Sequence, residues 1–194
     1  MLHPQTRRAL LAAEIPRCQY ASIRRRVFSY CAEVFLLFAG ILALQGLLIA
    51  LRLNPLVQGV LNGSGFSKGA YHLWLLGTVN LPLVAYYTGT LASSAQATLM
   101  MRWMGLRLET VRGGPVGPGR ALLRTAVMLI PFEVNHLFLV WASSPEGVPN
   151  RLSLQYAVVG ILILVYVFTA ARSQRRQSAH DRVAGTVVVS TRNV

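Results

Sequence analysis

Arg175-Arg176-Gln177-Ser178-Ala179-His180-Asp181-Arg182-Val183-Ala184-Gly185-Thr186-Val187-Val188-Val189 follows a run, Leu154 to Arg172, with no charge before its last residue. A mainly apolar helix of about nineteen residues is enough to cross a bilayer. The run that follows, a basic pair, His-Asp, Ala-Gly-Thr and then valines, is too specific an order to be an accident of composition. Thr186-Val187-Val188-Val189 has strong β propensity and is too short to span. The stretch therefore reads as a span that exits onto a small folded element.

Working back toward the N-terminus, three more apolar runs appear. Val27 to Leu51 is broken only by Ser29, Glu33 and Gln45, and Arg24-Arg25-Arg26 marks its near edge. As a helix it would reach roughly 37 Å, enough to cross a hydrocarbon core of about 30 Å with some tilt. Tyr71 to about Ala95 is the second, with Tyr71 and Trp74 as interfacial anchors and Asn80 and Pro82 interrupting its middle. Ala121 to Ser143 is the third. The predicted spans are thus about 27–51, 71–95, 121–143 and 154–172. Pro55 to Leu61 reads as a short surface helix, Asn62-Gly63-Ser64-Gly65 as a flexible loop, and Ser144 to Asn150 as the turn between the last two spans.

The 19 basic residues set the orientation. With the N-terminus inside, sixteen fall on inner segments and three, Arg52, Lys68 and Arg151, on outer loops. That asymmetry is the positive-inside pattern and puts both termini in the cytoplasm.

Composition agrees. Charged residues make up 13 % of the chain against about 25 % in soluble domains, and 54 % is apolar. The net charge of +13 suggests nucleic acid at first sight, but the arginines lie between apolar segments and not on one compact face. A basic cytoplasmic rim facing anionic lipid headgroups explains them, with no nucleic acid. Cys18 and Cys31 have no motif around them and form no disulfide framework. Arg7-Arg8 is followed by too short an apolar run for a signal peptide, so insertion is expected to rely on the first span, uncleaved.

The inner loop from Gln96 to Arg120 has structure of its own. Met100, Met101, Trp103, Met104 and Leu106 are interspersed with Arg102 and Arg107, as in a helix lying at the membrane surface. Leu106 to Thr110 alternates apolar and polar residues, a strand pattern, and Gly113-Gly114-Pro115 is a turn. Pairing of Leu106–Thr110 with Thr186–Val189 is expected, because neither segment suits water alone. Such pairing would bring Asp181 near Arg107 or Arg120.

The closing stretch, with Tyr20-Ala21-Ser22 followed by Arg26, and Gly105-Leu106-Arg107, Gly113-Gly114-Pro115 and Gly119-Arg120-Ala121-Leu122-Leu123-Arg124, resembles the RDD family of bacterial integral membrane proteins. The resemblance covers roughly residues 20 to 190 and implies the bacterial inner membrane. The family is named for one arginine and two aspartates, and the matching positions here are Arg26, Glu33 and Asp181, so a glutamate stands where the family has its first aspartate. In the family's inner-loop element Thr98 is kept, while Leu99, Met100 and Met101 replace Pro-Gly-Lys.

Two groups of residues could carry function. Glu33 lies about 9 Å inside the first span, where an ionisable group is costly. Its expected partner is Arg26 or, at a more compatible depth, Arg124, and the pair would either lock spans together or serve transport. Glu133, Asn135 and His136 follow Pro131 in the third span, with Asn80 facing them. Glu133 and His136 are i, i+3 neighbours that could carry protons or help bind a cation, and Pro131 frees a carbonyl that could line a cavity. The alternative is a hydrogen-bonded cluster that fixes helix packing. Two ligands without a third make no metal site. His180-Asp181 superficially suggests a metal phosphohydrolase, but no upstream histidine cluster, phosphate loop or nucleophile elbow accompanies it.

The expected molecule is an all-α membrane protein of four spans, both termini cytoplasmic, with a small cytoplasmic two-stranded β element. A basic segment, 1–19, precedes a membrane domain, 20–190, and residues 191–194 are a tail. It is expected to be no enzyme and to carry no cofactor or metal. It would be either a small transporter of a cation or solute, completed by a homodimer, or an accessory subunit of a membrane complex.

Overall fold

The computed structural model describes residues 20–63, 67–141 and 148–191. The basic segment 1–19, residues 192–194, part of the 62–65 loop and most of the 144–150 turn lie outside the described residues. The element order is α1 (Ile23–Ala50), α2 (Pro55–Leu61), α3 (Lys68–Leu75), a π-helical segment (Leu76–Asn80), α4 (Leu81–Ala92), α5 (Leu99–Trp103), β1 (Leu106–Thr110), α6 (Pro118–Trp141), α7 (Val148–Arg172), α8 (Ala179–Ala184) and β2 (Thr186–Ser190).

Three helical stretches are long and apolar enough to cross a membrane: Ile23–Ala50, Pro118–Trp141 and Leu154–Arg172. Their apolar side chains point outward. Phe35 is 79 % exposed, and Phe38, Leu42, Leu47, Ile161 and Leu164 are exposed as well. A soluble helix would turn such a face inward, and a lipid-facing helix turns it out. The expected second span is helical from Lys68 to Ala92 but is not one regular α-helix. Pro82 supplies a cause: it has no N–H to close its turn, and its ring crowds the carbonyl of Thr78. Widening the preceding turn relieves both, and Leu81 N–H bonds back to Leu76 O.

The chain divides into two compact units, residues 1–33, 87–127 and 165–194 in one and 34–86 and 128–164 in the other. In the first, β1 and β2 form an antiparallel ribbon, with Leu106 opposite Ser190 and Thr110 opposite Thr186. The expected pairing is therefore present. Tyr20 adds a bridge to Val189, and Ala21 N–H donates to Val188 O at 3.0 Å, so the start of the unit extends the ribbon. Tyr20, Val187 and Val189 pack together with Val111. Gly185 closes α8 at φ 65°, a left-handed value that glycine adopts without strain, and so turns the chain into β2. Gln96 ties the inner loop together: its side chain donates to Val116 O at 3.1 Å and accepts from Val116 N–H at 2.6 Å.

In the second unit Gln45 of α1 donates to Thr78 Oγ1 at 2.8 Å and accepts from Trp74 Nε1 at 3.3 Å. Gln155 of α7 donates to Asn135 Oδ1 of α6 at 2.7 Å. Side-chain amides thus join helices that offer one another mainly apolar surface.

Candidate functional site

In the first unit Asp181 is the hub. It is the third residue of α8 and wholly buried. Its Oδ1 accepts from Arg124 Nε at 2.9 Å, and its Oδ2 pairs with Arg26 Nη2. Oδ2 also accepts from Ser178 N–H at 3.2 Å and Ser178 Oγ at 2.8 Å, which caps the helix start. Burial alone would raise the carboxyl pKa; the two guanidiniums, His180 and Ser178 overturn this and hold it well below the usual carboxylate range. Arg26 also donates to Arg176 O, and Arg176 to Tyr20 O at 3.1 Å, so the knot reaches the ribbon.

The Arg107 or Arg120 contact expected for Asp181 is not formed. Arg107 points away from the ribbon core and pairs with Glu109, while Arg120 is exposed at the start of α6. The reason is depth: Asp181 is shut inside, where only arginines entering from helices can meet it.

Ser178 Oγ lies 2.7 Å from His180 Nε2. Since the hydroxyl proton is given to Asp181, the imidazole must donate from Nε2, which leaves Nδ1 bare. That nitrogen is buried with no hydrogen-bond partner. Burial, ahead of the nearby Arg124 and Arg26, depresses the His180 pKa to about 3, so the ring is neutral.

Glu33 is also buried, at 1 % exposure. Its Oε2 accepts from Thr98 Oγ1 at 2.6 Å and from Met100 N–H at 2.8 Å. Thr98 is the N-cap of α5 and accepts from Met101 N–H at 3.4 Å. Glu33 and Thr98 therefore cap the inner-loop helix between them. Arg26 and Arg124, the partners expected for Glu33, both pair with Asp181.

In the second unit the structure brings together Asn80, Glu133 and His136 and adds a residue sequence reasoning passed over, His72. Glu133 Oε1 lies 3.1 Å from His72 Nε2; Oε2 accepts from Asn80 Nδ2 and lies 3.8 Å from His136 Nδ1. Asn135 is not part of this group; it faces Gln155. The signal for His72 was available, a lone imidazole in an apolar run beside Tyr71 and Trp74. The two imidazoles approach different oxygens of the carboxylate, and among the described residues no three His, Cys, Asp or Glu side chains form a metal site. The carbonyl freed by Pro131 belongs to Val127, four residues back, and Tyr166 Oη donates to it.

Long helices with outward apolar faces and a buried polar framework define a helical membrane protein. A family model described as the RDD family matches residues 20–185, and the chain belongs to that family. Comparison with curated proteins and with solved structures gives no match.

Proposed function

We propose that the chain is a non-enzymatic, four-span protein of the bacterial inner membrane, both termini cytoplasmic, that moves a cation or small solute past Glu133. The helical run from Lys68 to Ala92 supplies the fourth crossing: at 1.5 Å per residue it reaches about 37 Å. The sixteen-to-three distribution of basic residues supports the orientation, and the inner arginines would meet anionic headgroups. The observation that carries the reading is Glu133 itself. A carboxylate on a helix fit to cross a membrane, held by an amide and flanked by two imidazoles, keeps a third of its side chain exposed. A group kept only for packing would be closed over. Four spans enclose little volume, so a second copy or a membrane partner completes the path.

A second reading, a non-transporting accessory subunit, draws on the first unit, where Asp181 and its arginines saturate one another inside the fold. Flux of radiolabelled rubidium or sodium ions and of small solutes into proteoliposomes, for wild type and Glu133→Gln, separates the two. Transport predicts flux above protein-free vesicles that Glu133→Gln abolishes. Absence of any flux favours the accessory role.

A further inference from the structure

Three two-sided groups stand in a row in the second unit. His72 Nε2 meets one oxygen of Glu133 at 3.1 Å, and His136 Nδ1 faces the other at 3.8 Å. His72 has a second, buried nitrogen, Nδ1, without a hydrogen-bond partner, and His136 Nδ1, buried and facing Glu133, makes no hydrogen bond at its distance. Burying an unpaired imidazole nitrogen is unfavourable, and a chain that needed only packing would fill these positions with apolar residues. An open nitrogen on either side of a carboxylate, one beyond His72 and one on His136 facing Glu133, is what a proton path requires: each group must have a place to receive a proton before it can pass one on.

We propose that His72, Glu133 and His136 form a proton relay, so that the ion handled at this site is a proton, moved alone or together with a solute. This rests on the transport reading above. The step balances without an oxidant or co-reactant. A proton on His72 Nε2 transfers to Glu133 Oε1, leaving a neutral imidazole and a neutral carboxylic acid. Rotation of the carboxyl turns its O–H toward His136 Nδ1. The 3.8 Å separation is beyond hydrogen-bonding range, so this rotation is the gated part of the path. His136 accepts the proton on Nδ1 and releases one from Nε2. His72 is reloaded through Nδ1 after its ring exchanges tautomer.

The surroundings fit this assignment. Asn80 Nδ2 donates to Glu133 Oε2 and holds the carboxyl in place between the two imidazoles. The His72 ring lies 6.4 Å from the Trp141 ring, and Lys68 Nζ lies 3.5 Å from Trp141 O, which puts His72 beside the last residue of α6.

The test uses the full chain in proteoliposomes loaded with a pH-sensitive dye, with a potassium gradient and valinomycin to drive proton uptake. Wild type is expected to take up protons above protein-free vesicles. Glu133→Gln should abolish uptake and His72→Gln should slow it at least tenfold, while Cys31→Ser at an exposed position changes nothing. Added imidazole should partly restore His72→Ala, which a packing role for His72 would not produce. Flux of radiolabelled rubidium or sodium ions or of a small solute that depends on Glu133, without proton uptake in wild type, overturns the relay and leaves the transport reading standing. Absence of both overturns both. Variants that fail to fold do not rescue the proposal, because wild-type vesicles that take up no protons contradict it alone.

Discussion

Thr98 Oγ1 donates a hydrogen bond of 2.6 Å to Glu33 Oε2, linking the first long helix to the N-cap of the inner-loop helix across 65 positions of sequence. Thr98 and Glu33 are both positions that the sequence resemblance singles out, one in the inner loop and one in the first span. The same carboxylate oxygen also accepts from Met100 N–H. The two residues form one device, an orphan helix terminus satisfied by an anion from another element.

Thr98→Val should therefore destabilise the protein by about 1–3 kcal/mol, the range for leaving a buried charged group short of a hydrogen bond. Glu33→Ala should cost more, and the double variant should cost less than the two single effects added together. Glu33→Asp should be milder than Glu33→Ala. Thermal unfolding in detergent reads all four; strict additivity would mean that the two side chains act separately.

Asp181→Ala leaves Arg26 and Arg124 without their shared anion and should cost about 3–5 kcal/mol. Adding Arg124→Met, which removes the more deeply buried guanidinium, should recover part of that loss. Asp181→Asn should lie between, since the amide keeps the helix cap but not the charge. No recovery in the double variant would show that the arginines find water when Asp181 is lost.

His180 gives the fold an acid sensitivity. An unfolded imidazole takes up a proton near pH 6.5, whereas the folded one does so only at about 3. Between those values the unfolded state binds the additional proton, so stability falls as pH drops, by about 2 kcal/mol at pH 5. Melting temperatures measured from pH 7 to pH 5 should decline, and His180→Gln should flatten that slope. Asp181 adds almost nothing to the decline over this range, because its carboxyl is ionised in both the folded and the unfolded state above pH 5; its contribution is lost only at lower pH.

Tyr166→Phe should cost about 1–2 kcal/mol by leaving the Val127 carbonyl unsatisfied. Pro131→Ala in the same chain should restore the loss, because alanine returns the N–H that an unbroken helix would donate to that carbonyl. A Tyr166→Phe loss that persists with alanine at 131 would place the hydroxyl's contribution elsewhere.

How much of this was legible depended on whether the signal was local. Leu106 to Thr110 and the valines after Gly185 carry their β propensity in consecutive residues, so the ribbon could be read before it was seen. The three long helices follow from long, mainly apolar runs. Asp181 was flagged by its surroundings, but its partners were not, because depth selects Arg26 and Arg124 over the nearer-seeming Arg107 and Arg120. Nothing in the residues around Gln96 points to its hold on Val116, which is made by a turn closing on itself. His72 and Glu133 lie far apart in sequence, and only the fold reveals that they meet.

Everything proposed for Glu133 stands on four crossings, and side-specific labelling tests that most directly. In a chain with Cys18 and Cys31 replaced by serine, single cysteines at Asn62, Arg112 and Thr191 are reacted with a membrane-impermeant maleimide, in intact cells and in inside-out vesicles. Four spans with both termini inside predict that position 62 labels only from outside, and positions 112 and 191 only from inside. Labelling of all three from the same side would mean that the Lys68–Ala92 run does not cross, and would contradict the topology.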